Sequence, residues 1–490
     1  MSAVTARAPA SAAASSFRDP GGRVLRIGNR LIRLLKQEAA AGLRDFLGTA
    51  CARQFISAGH LVPTDFLSTD VIQELRAIPE FGAVCEQLSP CSAVEHQPIA
   101  FPTFPYEWSP AMLYAAAELT LDLAEGALPE GFGLKDATPY NVLFRGPQPV
   151  FVDVLSFERR DPLDATWLPH SQFLRGFILP LLVNKQLGVP LDQVLITQRD
   201  GPEPDAVSRM CGPLRKWLPP FLTLASLPAW LGRRHRDDDL SIYQRRPARN
   251  PELARFTLGS LFRHLRRLLA RVAPRPGATS VWSDYMADEG GYSRESFDAK
   301  RAFVEAALAE CRPQAVLDIG CNTGFFSRMA AQAGARVVAI DSDPVALDRL
   351  WRAAHAEHLD IVPLVVDLAR PTPGIGWRNQ ECASFLDRAR RSFDAVLLLA
   401  VVHHLLVSER VPLADILALA AELTTGIVVI EFVGPQDPMF RRIARGRDHL
   451  FADLDVSSFE SACRKDFEVV RGLGLPGSGR RLYLLRKRQP

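Results

Sequence analysis

Three acids in the second half of the chain each sit at the end of a short apolar run. Asp318 lies in Val316-Leu-Asp318-Ile-Gly320-Cys321-Asn322-Thr-Gly324, Asp341 in Ile340-Asp341-Ser342-Asp343-Pro344, and Asp367 in Val366-Asp367-Leu368. Glycines at 320 and 324 permit a tight turn and let a ligand approach the backbone with no Cβ in the way. A dinucleotide site would carry G-x-G-x-x-G. Here Asp318 stands where the first of those glycines belongs, and Gly324 falls at a different spacing. A carboxylate at that point repels a pyrophosphate and suits a cationic portion of a ligand, which an ammonium or a sulfonium would fit. Asp341, 23 residues after Asp318, is placed to accept hydrogen bonds from two ribose hydroxyls. Asp343, directly before Pro344, reads as a helix N-cap. Singly, each acid would be a capping or surface residue; three at successive strand ends behind a glycine turn predict one site.

Two imidazoles and a further acid follow. Leu399-Ala400-Val401-Val402-His403-His404-Leu405 supplies a pair of histidines, and Ile430-Glu431-Phe432 a carboxylate. Histidine titrates near neutrality and is the natural general base, with His404 favoured over His403 and Glu431 as the other candidate. Adjacent histidines in an extended segment face opposite sides, which argues against a shared metal. The eight cysteines form no CxxC pair and no Cys/His cluster with zinc spacing, so no metal is expected. Scattered cysteines without a secretory signal read as reduced thiols of a cytoplasmic protein.

The elements that position these residues alternate. Ala315–Ile319, Arg336–Ile340, Ile361–Val366, Ala395–Ala400 and Ile427–Phe432 read as strands, with helices such as 325–333 and 344–355 between them. Continuous Val/Ile/Leu runs separated by helices predict a parallel sheet covered on both faces. Phe467–Arg471 and Arg481–Arg486 add two strands, the last antiparallel. The fold class is therefore α/β, a doubly wound, Rossmann-like, seven-stranded sheet, preceded by an α+β region.

These motifs resemble those of the class I S-adenosylmethionine-dependent methyltransferases, over about 282–490. The resemblance implies S-adenosylmethionine as cofactor, with Asp318, Gly320, Asn322 and Gly324 along its methionine part, Asp341 at the ribose and Asp367 at the adenine. Cys321, Ser342, Leu368 and Ala400 complete the expected cofactor-binding set, Cys321 as a small turn residue. It also implies that Trp282-Ser-Asp-Tyr285, Tyr292 and Lys300 fold over the cofactor as a lid or first helix. The Pro/Gly-rich stretch Pro371–Glu381, with Trp377, reads as an ordered loop near the substrate or a packing plug.

The first half carries its own pattern. Lys135-Asp136-Ala-Thr-Pro-Tyr-Asn141, then Asp153 after an apolar run, has the spacing of a kinase catalytic loop and its second metal-binding acid. Helical Pro110–Leu128 precedes it, and Phe104-Pro-Tyr-Glu-Trp108 resembles an interlobe hinge. Residues 23–250 thus resemble a kinase-like domain, with departures: no Gly-rich phosphate loop, no clear strand lysine, Lys135 in place of the usual Arg and no glycine after Asp153. The whole chain resembles a bacterial group of two-domain methyltransferases related to nodulation-type proteins. That implies the two-domain architecture; the leading reading is transfer to an O or N acceptor on a small molecule or glycan, recruited or presented by the N-terminal domain. A bifunctional kinase–methyltransferase and a non-catalytic scaffold that binds S-adenosylmethionine are the alternatives.

Composition sets the remaining bounds. A chain of 490 residues with 47% hydrophobic and 23% charged residues has room for two or three domains, each with a core of its own. A net charge of +3, carried by 51 arginines and 7 lysines, gives no strong nucleic-acid signal. No apolar run approaches the ~20 residues of a membrane span. Residues 1–22, rich in Ala and Ser, read as a disordered tail or, with their arginines, a transit-like segment. Residues 251–281 read as a basic amphipathic helix, whose leucine face packs on its own domain, followed by a Pro/Gly linker.

Overall fold

The structure, a computed structural model, describes residues 10–12, 19–89, 91–234, 247–275, 277, 279–280 and 292–488. Five antiparallel strands open the chain: β1 (Ala10–Ala12), β2 (Gly22–Ile27), β3 (Arg30–Lys36), β4 (Thr64–Phe66) and β5 (Cys91–His96), in the order β1-β2-β3-β5-β4. The β2–β3 hairpin closes through Gly28-Asn29, with Gly28 at φ 59° as a two-residue turn requires. The expected disordered tail is corrected in part. Ala10–Ala12 pairs with Leu25–Ile27, because the outer edge of β2 offers unpaired backbone groups to a further strand. Asp19–Gly22 of that stretch are described as well, with Gly22 opening β2, and residues 1–9 and 13–18 lie outside the described residues. A second departure concerns the thiols. Cys85 and Cys91 are joined as a disulfide across the short connection from helix Pro79–Gln87 to β5, while the other six cysteines are free.

Two small antiparallel two-stranded sheets follow, β6 (Phe132–Leu134) with β9 (Phe157–Arg159) and the hairpin β7 (Val142–Arg145) with β8 (Gln148–Phe151). Helix Pro110–Ala127 is apolar nearly all round and is buried at eleven of its 18 positions. Helix Pro251–Val272 lays Leu258, Phe262, Leu265 and Leu269 against the same core, and Arg266 on its outer side pairs with Asp122 and Glu125 at 2.7 and 2.6 Å. Its apolar face is thus spent inside the protein, as the leucine spacing predicts.

The C-terminal sheet has seven strands: β10 (Ala315–Ile319), β11 (Arg336–Asp341), β12 (Ile361–Val365), β13 (Phe393–Leu398), β14 (Thr424–Phe432), β15 (Phe467–Gly474) and β16 (Arg481–Lys487). Their order is β12-β11-β10-β13-β14-β16-β15, with β10 to β14 parallel and β16 antiparallel to both its neighbours. Period-2 alternation divides the sheet's side chains between two faces. Val316, Val337, Ala395 and Val429 belong to the apolar cluster that includes Phe303, Val304, Ala307 and Leu308 of helix Arg294–Cys311, whereas Leu317, Val338, Val396 and Val428 join the apolar cluster that fills the N-terminal region. Separate cores are therefore not what forms; one face of this sheet is covered by the first half of the chain.

Polar groups reinforce that seam. Trp351 Nε1 donates to the Pro147 carbonyl at 3.0 Å, and Asp348 accepts from the Ala111 amide at 3.0 Å. Glu107, fully buried in the hinge-like stretch Phe104–Trp108, accepts from Thr372 Oγ1 and from Arg388. The Arg388 guanidinium also donates to the Pro102 carbonyl at 2.6 Å and lies over the rings of Phe101 and Phe104. Removing one member of a buried ion pair strands the other charge, which costs about 3–5 kcal/mol. Arg388→Ala should therefore lower stability to urea by about 3 kcal/mol or more, and Glu107→Gln added to it should restore part of the loss. A loss below about 1 kcal/mol would show that the pair does not hold the seam.

Candidate functional site

At the carboxyl ends of β10 to β13, where the strand order reverses, the predicted motifs meet around a cavity of about 370 Å³. Nine of the ten expected cofactor-binding residues line it: Asp318, Gly320, Cys321, Asn322, Asp341, Ser342, Asp367, Leu368 and Ala400. The tenth, Gly324, stands behind the wall and has a packing role. A Cβ on it would come within 2.2 Å of Leu350 Cδ1, and its φ of 79° lies in the left-handed region. Gly320 is similar, at φ 69° with a Cβ position 2.4 Å from Val401 Cγ2. The turn between them is tied to the neighbouring strand, since the amides of Gly320 and Cys321 both donate to the Ile340 carbonyl at 2.8 and 3.1 Å. Asn322 and Ala400 carry side chains at φ 52° and 58°. Backbone strain of that kind gathers at ligand sites, where surrounding structure over-determines it.

The three acids are held differently. Asp318 is 2% exposed, and its Oδ2 accepts from Ser327 Oγ at 2.5 Å. Burial, with the nearby charge of Asp341, pushes its carboxyl up to about 6, against the opposing pull of the Ser327 hydroxyl and the Lys300 ammonium. Asp341 accepts from the amides of Asn322 at 2.9 Å and Asp343 at 3.0 Å, one on each oxygen. Burial raises its pKa while those donors oppose the shift. Each oxygen keeps a second lone pair, so the carboxylate can still accept from a ligand. Asp343 is the N-cap of helix Pro344–Ala356. Asp367 accepts from the Ala369 amide at 2.9 Å and from Arg370 Nη2 at 2.8 Å, and Arg370 Nη1 reaches Glu409 at 3.2 Å. Arg370 thereby links two parts of the cavity wall.

On the acceptor side the structure corrects two expectations. His403 and His404 lie on a helical turn, Val402–Val407, and not on an extended segment. Their rings are therefore neighbours, 4.3 Å apart, where opposite directions were expected. His404 lines the cavity, and burial with the charge of Arg480 lowers its pKa. His403 does not line it. Its ring is buried, Nδ1 has no hydrogen-bond partner among the described residues, and burial beside His404 and Arg480 pushes it down to about 3.

Glu431 also stands outside the cavity wall. It is fully buried, accepting from Tyr292 Oη at 2.6 Å and Lys300 Nζ at 2.7 Å, and both of those residues do line the cavity. Lys300 donates in addition to Tyr292 Oη at 2.9 Å. Burial lowers the Lys300 pKa, opposed by Glu431. Arg480 lies over the Tyr292 ring, 4.5 Å from its centroid, and donates through Nε to Asp437 at 2.7 Å. Arg480, Asp437, Ser327 and Arg370 belong to the site but were not anticipated from the sequence. Trp377 is 63% exposed and lies outside the cavity wall. Trp282–Tyr285 fall outside the described residues. Among the described residues no group of three His, Cys, Asp or Glu could hold a metal ion, and no helix is long and apolar enough to cross a membrane.

A second cluster occupies the N-terminal region. Asp153 accepts from Arg33 Nη1 and from Ser156 Oγ, each at 2.8 Å, and Ser156 Oγ accepts from Asn141 Nδ2 at 3.2 Å. Arg33, on β3, also donates through Nε to Asp19 at 3.1 Å. Burial and the charge of Asp153 raise the pKa of Asp136. The two acids and the amide singled out by spacing, Asp136, Asp153 and Asn141, are thus close in space, but an arginine occupies Asp153.

Comparison with known proteins agrees with the geometry of the C-terminal part. Residues 317–418 match the methyltransferase domain family. The nodulation protein NoeA of Rhizobium meliloti strain 1021 is 34% identical over 476 residues, covering 96% of this chain and 95% of that protein. Among solved structures, the N-methyltransferase NodS from Bradyrhizobium japonicum WM9 is 15% identical, with a TM-score of 0.31, over 40% of this chain and 99% of that one. WbdD is 18% identical, with a TM-score of 0.31, over 44% of this chain and 45% of that one.

Proposed function

The chain belongs to the family of nodulation protein NoeA, with an S-adenosylmethionine-dependent methyltransferase domain in its C-terminal part, and from that premise we propose that it methylates an oxygen or nitrogen of a small molecule or glycan presented by the N-terminal region. The observation that carries this reading is the Asp318 carboxylate, buried beside a glycine turn on the wall of an adenosyl-sized cavity. Bound S-adenosylmethionine supplies an electrophilic methyl group on a sulfonium. The chain's own residues then have to bind and align. Asp318 would hold the cationic methionine end with Gly320, Cys321 and Asn322 beside it, Asp341 and Ser342 the ribose, and Asp367 and Leu368 the adenine, with Ala400 closing the wall. Holding donor and acceptor in line is worth up to ~7–11 kcal/mol.

Of the three acceptor-side candidates, His404 is the general base in this reading. It lines the cavity, and its lowered pKa keeps it neutral and able to accept a proton at pH 7. His403 lies behind it, and Glu431 positions Lys300 and Tyr292. With labelled S-adenosylmethionine and fractionated cell extract, label should pass to an acceptor identifiable by mass spectrometry. Asp318→Ala should abolish transfer. His404→Ala should cut kcat by about 10² or more with KM for the cofactor little changed. Cofactor binding without any labelled product in any fraction would favour the scaffold alternative.

We read residues 23–250 as a kinase-like unit without phosphotransfer, 251–281 as the helix and linker joining it on, and 282–490 as the methyltransferase domain. Arg33 and Ser156 on both oxygens of Asp153 support this, because an arginine there takes the place of a metal ion. Calorimetry with Mg-ATP should give no binding heat; heat that Asp153→Ala removes would instead support the bifunctional alternative.

A further inference from the structure

Outside the sites described above, one stretch keeps large apolar side chains in water. Ala206–Arg234 packs inward through Val207, Phe221 and Leu224, which belong to the main core. Its outer side chains remain uncovered. Leu214 is 81% exposed, Trp217 64% and Leu218 59%, with Met210, Leu227 and Leu231 also exposed. The short helices that carry them, Pro204–Met210, Arg215–Trp217, Leu222–Ser226 and Leu227–Arg234, pack on one another, so these side chains belong to one surface region. More than half of the large hydrophobics exposed among the described residues fall in this stretch. Scattered exposed leucines need no explanation, whereas a contiguous apolar patch marks an interaction surface.

The charges beside the patch select the partner. Between Ala206 and Leu231 the chain carries Arg209, Arg215 and Lys216 and no Asp or Glu. Arg209 is paired with Asp205, whereas Arg215 donates to a neutral carbonyl, that of Gln186, and Lys216 lies 5.5 Å from the Trp217 ring centroid. A second copy docking the same patch would set these cations against their own kind. An anionic lipid surface meets both requirements: acyl chains take up Leu and Trp side chains, and headgroups pair with Arg and Lys. Tryptophan also favours the level of the headgroups. We infer that Ala206–Arg234 is a membrane-surface docking patch for anionic lipid, one that rests on the bilayer without crossing it. This inference is independent of the methyl-transfer reading.

The test is cosedimentation of the full-length protein with vesicles of phosphatidylcholine alone or mixed equally with phosphatidylglycerol. The protein should pellet with the mixed vesicles and remain soluble with the neutral ones. Binding should fall in about 0.5 M salt, where screening shortens to ~4 Å. Leu214→Glu combined with Trp217→Glu should weaken binding by about tenfold or more, and so should Arg215→Gln combined with Lys216→Gln. Leu214, Arg215 and Trp217 are exposed and Lys216 is half-buried at the surface, so the variants should keep the wild-type thermal melt, which serves as the folding control. No pelleting of the wild-type protein with anionic vesicles would overturn the assignment, and so would equal pelleting of the Glu variant. A wild-type dimer in light scattering that the Glu variant dissolves, without vesicle binding, would overturn it in favour of self-association.

Discussion

A carboxylate buried without a full counter-charge is the constraint around which the C-terminal half is arranged. Asp318 lies near the end of β10, where two glycines keep side chains off the backbone and a helix begins at once. The Ser327 hydroxyl satisfies part of its hydrogen-bonding capacity, and Lys300 contributes charge from farther off. That leaves an acid with an elevated pKa facing a cavity, which a ligand cation can complete. A phosphate at the same place would meet repulsion, which is why this turn serves a different cofactor from the dinucleotide turn it resembles in outline.

The surroundings make that acid's position reproducible. Lys300 is shared between Glu431 and Tyr292, so the helix Arg294–Cys311 is locked to β14 by buried charge-assisted bonds at the cavity's rim. Arg480 and Asp437 continue the network below. On the other side of the sheet the N-terminal region covers the strands directly, and the Glu107–Arg388 pair fixes the two halves together. The first half of the chain is consequently part of the scaffold of the methyltransferase site, whatever it does with an acceptor.

Much of this was legible in the residues. The parallel strands announced themselves as uninterrupted Val/Ile/Leu runs with acids at their ends, so the sheet and its three strand-end acids could be located by spacing, whereas Cys321, Ser342, Leu368 and Ala400 came from the resemblance to methyltransferases. Asp343 was recognisable as a cap because Pro344 follows it. Other features depend on tertiary packing, which spacing does not encode. The two histidines were assigned to an extended segment because β13 precedes them, but that strand ends at Leu398 and the chain turns helical at Val402. Glu431 carried the right residue type at a strand end, yet its side chain meets Lys300 from a helix some 130 residues earlier. Arg480 sits in an unpatterned turn before β16 and had no signal, whereas Ser327, three residues past Gly324 in the first helical turn, could have been proposed. The merged core was hidden for a related reason: apolar periodicity tells which face is buried and leaves open what buries it.

The central claim is that Asp318 recognises a positive charge, and its elevated pKa makes that directly measurable. The folded-state pKa of about 6 lies above the ordinary aspartate value of 3.8, so the charged form dominates only above pH 6. Calorimetric affinity for S-adenosylmethionine should therefore be constant above about pH 7 and weaken by up to about tenfold per unit below pH 6. In Asp318→Asn it should be weak throughout, with that step missing. An identical pH dependence in the wild-type protein and in Asp318→Asn would contradict the account.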